Sequence, residues 1–124
     1  MNVVDSSAWL EYFADGPNAG FFASAIESVD KLIVPTVCIL EVFKRVLQQR
    51  GEGEAFRAAA LMQQGQVVSL DSTLALSAAK LSLDLKLPLA DSVVLATARA
   101  HGAVLWTQDA DFQGLDGVKF TAKK

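Results

Sequence analysis

The sequence predicts an α/β domain, a three-layer sandwich with a central, mostly parallel sheet and helices on both faces. Two observations predict it. Short β-prone runs alternate with helical segments along the whole chain, and no linker, repeat or low-complexity segment interrupts them. The 124 residues, 52% of them hydrophobic, match one domain with a real core, spanning residues 1–124.

The elements follow in order. Asn2 to Asp5 is a β-prone run ending in an acid, and Ser6-Ser7 then leads into an amphipathic helix over Ala8 to Ala14, broken at Gly16-Pro17. Asn18 to Val29 forms a second helical segment with Phe22, Ala25, Ile26 and Val29 on one side. Lys31 to Val34 reads as a short buried strand, and Pro35-Thr36 opens a longer helix, Val37 to Gln49, stopped at Gly51. A helix over Glu52 to Gln64 ends at Gly65, and a strand covers Gln66 to Leu70. Asp71-Ser72-Thr73 caps the helix Leu74 to Leu85, with Asp84 a surface charge. A nearly all-apolar helix starts after Pro88 and runs to His101-Gly102, an ordinary helix ending that makes His101 a poor catalytic candidate. Ala103 to Thr107 is the clearest strand, and Val118 to Phe120 is the last.

Composition excludes several classes. One cysteine, Cys38, gives no internal disulfide and reads as a small core residue, which suits a reducing cytoplasm. The N-terminus has no basic region, no apolar run reaches membrane length, and a cytoplasmic protein is expected. The formal net charge of −3 does not advertise nucleic-acid binding. Setting five of the fourteen acids aside in one metal site, however, leaves nine against eleven Lys and Arg.

Those five acids are the candidate chemistry. Asp91 lies in the first turn of the most apolar helix, where a carboxylate costs several kcal/mol unless something meets it. It either caps that turn or joins a site. Asp5 and Asp109 follow the carboxyl ends of two strands, the place where open α/β sheets bind ligands. Glu41, one turn into its helix, either pairs with Arg45 on the surface or points to the same edge. Asp111 either adds a fifth carboxylate or caps the turn after Asp109. Carboxylates converging from four segments repel one another unless cations are present, and oxygen-only ligation selects Mg²⁺ or Mn²⁺ over zinc.

The chain resembles a PIN domain, and among those the small prokaryotic toxins of the VapC type. The likeness rests on V-V-D-S-S-A-W-L at the first strand, Pro-Thr-x-x-x-x-Glu at Pro35 to Glu41, L-P-L-A-D-S-V-V-L-A-T-A at Leu87 to Ala98, and W-T-Q-D-A-D-F at Trp106 to Phe112. It implies catalytic and metal-binding roles for Asp5, Glu41, Asp91 and Asp109, with Asp111 an additional acid and Ser6 and Thr107 hydroxyls that orient them. It also implies a Mg²⁺-dependent endoribonuclease leaving a 5′-phosphate, acting on RNA such as tRNA. A homodimer is implied, held inactive by a VapB-like antitoxin with an apolar segment in a helical groove; Trp9, Tyr12 and Phe13 either line that groove or pack in the core, and the core claims at least one of them.

Other readings compete. A phospho-acceptor signalling domain shares the length and the acids at strand ends, with Asp71 ending the middle strand, but no lysine follows the late strand at Trp106-Thr107. A non-toxin RNA-processing nuclease, or a non-catalytic relative, shares the motifs. A phosphatase lacks a nucleophile Asp-x-Asp at the first strand.

Overall fold

The computed structural model describes all residues from Met1 to Lys124. Five strands form one parallel sheet in the order β3-β2-β1-β4-β5: β1 (Asn2–Val4), β2 (Leu32–Pro35), β3 (Gln66–Val68), β4 (Val104–Thr107) and β5 (Val118–Phe120). Six helices cross between them: α1 (Ser6–Phe13), α2 (Ala19–Glu27), α3 (Thr36–Arg50), α4 (Glu52–Met62), α5 (Ser72–Leu85) and α6 (Leu89–Ala100). Parallel strands require such crossovers, because a short hairpin can join only antiparallel neighbours.

Burial explains the layering. All four residues of β2 are buried, whereas edge strand β3 keeps two of its three exposed. In α3, Cys38, Val42 and Val46 recur every four residues and form one buried stripe. Trp9, Phe22 and Phe112 are fully buried in the same apolar cluster as Val3, Val4, Ile33 and Leu105, each contributing about 2–3 kcal/mol. At Gly65 a Cβ would lie 2.9 Å from the Leu32 carbonyl oxygen, so β3 can start beside β2 only with glycine there.

Several expectations need correcting. The helix begun at Asn18 ends at Glu27, and Val29 sits in a separate 3₁₀ turn, 37% exposed rather than on the buried face. Strand β3 stops at Val68, two residues before Leu70. Of the two readings for Trp9 the core holds: it is wholly enclosed, stacked on Phe13 at 5.6 Å between ring centroids, and does not line a groove. Asp71 caps α5, accepting from the Leu74 N–H at 2.9 Å, and β3 lies at the sheet edge. The doubly wound signalling fold has the order 2-1-3-4-5, with its third strand central, so this order sets the phospho-acceptor reading aside. No helix is long and apolar enough to cross a membrane.

Candidate active site

The chain reverses its direction of growth across the sheet at β1: β2 and β3 lie to one side, β4 and β5 to the other. Asp5 follows β1 and Asp109 follows β4, so both acids stand at the carboxyl edge of that switch point. The Asp5 N–H donates to the Trp106 carbonyl at 3.1 Å, which ties the end of β1 to β4.

Asp5 is 3% exposed. It is the N-cap of α1 and accepts from the Ala8 N–H at 3.1 Å. Ser7 Oγ donates to both its oxygens, at 3.0 and 3.1 Å. Burial pushes its carboxyl up to about 6; the bonds from Ala8, Ser7 and Thr107 pull against that, and the charge of Asp109 adds to it. Thr107 is fully buried and its Oγ1 also accepts from the Asp109 N–H at 2.9 Å, so one hydroxyl touches both strand-end acids.

Asp91 sits in the first turn of α6 but caps nothing: the N-cap position is Pro88, and the Asp91 carboxylate accepts no hydrogen bond. The buried hydroxyls of α6 are satisfied within the helix, Ser92 by the Pro88 carbonyl and Thr97 by that of Val93. Half-burial, then the charges of Asp109, Asp5, Asp111 and Glu41, push Asp91 up to about 7.

Asp109 caps the 3₁₀ turn Ala110–Phe112 through Oδ1, which accepts from the Asp111 N–H at 2.9 Å. The capping alternative for Asp111 therefore falls to Asp109. Asp91, Asp109 and Asp111 each offer a carboxylate oxygen within 4.8 Å of the others. Glu41 forms no pair with Arg45; its Oε1 accepts from Ser6 Oγ at 2.7 Å. Asp5 and Glu41 flank the tight trio, close enough to act on the charge of Asp91. The thiol of Cys38 lies beneath, donating to the Val4 carbonyl at 3.7 Å and kept neutral by burial. His101 closes α6, with Nδ1 2.9 Å from the Thr97 carbonyl and no part in the cluster.

No lysine or arginine balances these acids. The two ion pairs of the molecule, Arg57–Glu54 and Lys80–Asp84, are short-range helix pairs elsewhere. Oxygen donors within a span comparable with an octahedral Mg²⁺ sphere, about 4 Å across, fit a hard divalent cation. Sequence reasoning missed Ser7 as a holder of Asp5, although the run Asp5-Ser6-Ser7 carried the signal: both hydroxyls lie in the first turn behind a capping acid.

A family model described as the PIN domain matches residues 3–118. Among solved structures, the fold is similar to that of a toxin-antitoxin complex from Klebsiella pneumoniae, with a TM-score of 0.82, 21% identity and 100% of each chain covered. It is similar to VapC20 of Mycobacterium tuberculosis, described as a sarcin-ricin loop cleaving toxin, with a TM-score of 0.78, 18% identity and 94% of this chain and 95% of that one covered. The DNA-bound VapBC of Salmonella typhimurium gives a TM-score of 0.75 at 10% identity, over 98% and 97%. No curated protein matches at the level of sequence. With a family model running from the first strand to the last and the same architecture in these structures, the chain belongs to the PIN domain family.

Proposed function

We propose that the protein, with residues 1–124 acting as one nuclease domain, is a Mg²⁺-dependent endoribonuclease and the toxin of a VapBC-like pair. The observation that carries this is the set of five carboxylates, drawn to one sheet edge from four segments, with no protein cation to offset them. Solved structures of similar fold include a sarcin-ricin loop cleaving toxin, a toxin-antitoxin complex and a DNA-bound VapBC, which supports the reading.

Asp91, Asp109 and Asp111 would hold the ion, with Asp5 and Glu41 completing the shell; Mn²⁺ has the same preferences. When bound, the ion supplies charge for the scissile phosphate and acidifies the attacking water. Ser6 keeps Glu41, and Ser7 with Thr107 keeps Asp5, in fixed orientations, so little reorganisation accompanies substrate binding. Asp109 commits Oδ1 to the turn, which leaves Oδ2 for the ion.

Dimerisation belongs to the same reading. Leu76 and Leu83, seven residues apart on α5, are 75% and 81% exposed, and an identical face on a second copy would cover them. A VapB-like antitoxin would be the second partner, and the cytoplasm the place of action.

The test is cleavage of an RNA panel, tRNA included, by the purified chain with Mg²⁺, Mn²⁺ or a chelator. Products with 5′-phosphates, formed with either ion and abolished by chelator, are expected. Cleavage that persists in chelator overturns the reading.

A further inference from the structure

A cavity of about 700 Å³ lies between α1, α3 and α4, and it meets the acidic edge at Ser7, whose hydroxyl holds Asp5. Its charge is opposite to that of the edge. Arg45, Arg50, Arg57 and Lys123 line it, against only Glu11 and Glu54. Both acids are engaged: Glu54 pairs with Arg57 at 3.3 Å, and Glu11 accepts from the Asn18 N–H at 2.7 Å. Arg45, Arg50 and Lys123 form no ion pair.

A second observation points to a ligand. Gln108, which precedes Asp109, lines the same cavity and is 7% exposed. Its Oε1 accepts from Asn18 Nδ2 at 2.9 Å, and Asn18 Nδ2 also donates to the Ala122 carbonyl at 3.0 Å. The amide is thereby held with Nε2 as its free donor, and no protein acceptor takes that donor. An apolar segment filling the cavity would strip water from three unpaired cations while offering them no negative charge. A phosphodiester strand offers acceptors at each of them, and the half-buried ring of Phe13 adds a surface on which a base can stack.

We infer that this cavity holds the sugar-phosphate backbone of the RNA strand beside the scissile bond, with Gln108 Nε2 donating to a phosphate or ribose oxygen and Arg45 and Arg50 neutralising neighbouring phosphates. The inference rests on the nuclease reading for the identity of the strand.

The test reads binding apart from cleavage. A fluorescein-labelled single-stranded oligoribonucleotide of about a dozen bases is titrated in Mg²⁺ against the full chain carrying Asp91→Asn, with anisotropy as the signal and salt varied. Adding Arg45→Gln and Arg50→Gln weakens binding about tenfold and flattens the plot of log K against log salt by about 1.4, roughly 0.7 for each phosphate left without its arginine. Adding Gln108→Leu weakens binding about fivefold with the slope unchanged, because an uncharged donor releases no counterion. Melting curves of each variant check folding, and Gln108→Glu, which keeps the acceptor for Asn18, must weaken binding more than Gln108→Leu. Failure of the parent chain to bind the RNA, or affinity and slope unmoved in the arginine variant, overturns the inference. So does retained RNA binding alongside lost affinity for an acidic peptide, which gives the cavity to a protein partner. Wild-type cleavage with the variants binding normally leaves the nuclease standing and the cavity reading fallen; weakened binding with no wild-type cleavage does the reverse.

Discussion

One hydroxyl, that of Ser7, reaches both oxygens of Asp5, at 3.0 and 3.1 Å, while the adjacent Ser6 turns to Glu41 at 2.7 Å. Two consecutive serines thus hold two acids whose sequence positions are 36 apart. Ser7→Ala leaves Asp5 with Ala8 and Thr107 and is expected to weaken Mn²⁺ binding about tenfold, at a cost to stability of about 1 kcal/mol. Calorimetric titration with Mn²⁺ and a melting curve measure both. Unchanged affinity would show that the remaining bonds hold Asp5 well enough.

Asp91 is a half-buried carboxylate without a hydrogen-bond donor, amid four other acids. Asp91→Asn keeps the shape and removes the charge. The expected result is a fall in cleavage of at least about 10², the scale for removing an electrostatic interaction made in the transition state, together with a higher melting temperature in chelator. A variant that cleaves like the wild type removes Asp91 from the site.

The raised acids also set a pH dependence for the metal-free protein. Below about pH 4, Asp5 and Asp91 are protonated in both the folded and unfolded chains. Between about 4 and 7 the unfolded chain has released these protons while the folded one retains them, so the folded state binds more protons and stability falls as pH rises. At about 1.4 kcal/mol for each pH unit separating 3.8 from about 6, Asp5 alone accounts for about 3 kcal/mol, fully lost above pH 6. Denaturant unfolding in chelator from pH 4.5 to 7.5 measures the decline, and saturating Mg²⁺ should reverse it at pH 7.5. A flat profile in chelator would contradict the charge crowding.

Exposed leucines on α5 give a prediction about assembly. Leu83→Glu places a charge at the centre of the proposed shared face and is expected to convert a dimer into a monomer by light scattering, with the melting temperature losing its dependence on protein concentration. A wild-type chain that is monomeric at micromolar concentration would remove the dimer from the account.

Much of this fold could be read directly. Strand Val118–Phe120 is predicted residue for residue, and the α5 helix follows its Asp71 cap, because β-propensity and capping act over a few neighbouring residues. Patterning also put Asp5 and Asp109 at strand ends and Asp91 in an apolar first turn. Alternatives stayed open where distant chain decides the outcome. The aromatic stripe of α1 looks the same in a groove or in a core, and only the closure of the sheet beneath it encloses Trp9 while Phe13 reaches the cavity. Glu41 has Arg45 one turn away, yet bonds to Ser6 from another element.

The sequence by itself determined the elements, their parallel arrangement and the identity of the acids, since periodicity and turn chemistry are local. The tertiary structure decided the sheet order, the distances among the carboxylates and the opposing charge of the cavity beside them. These depend on how the crossovers fold back, and electrostatic interaction depends on separation in space rather than along the chain.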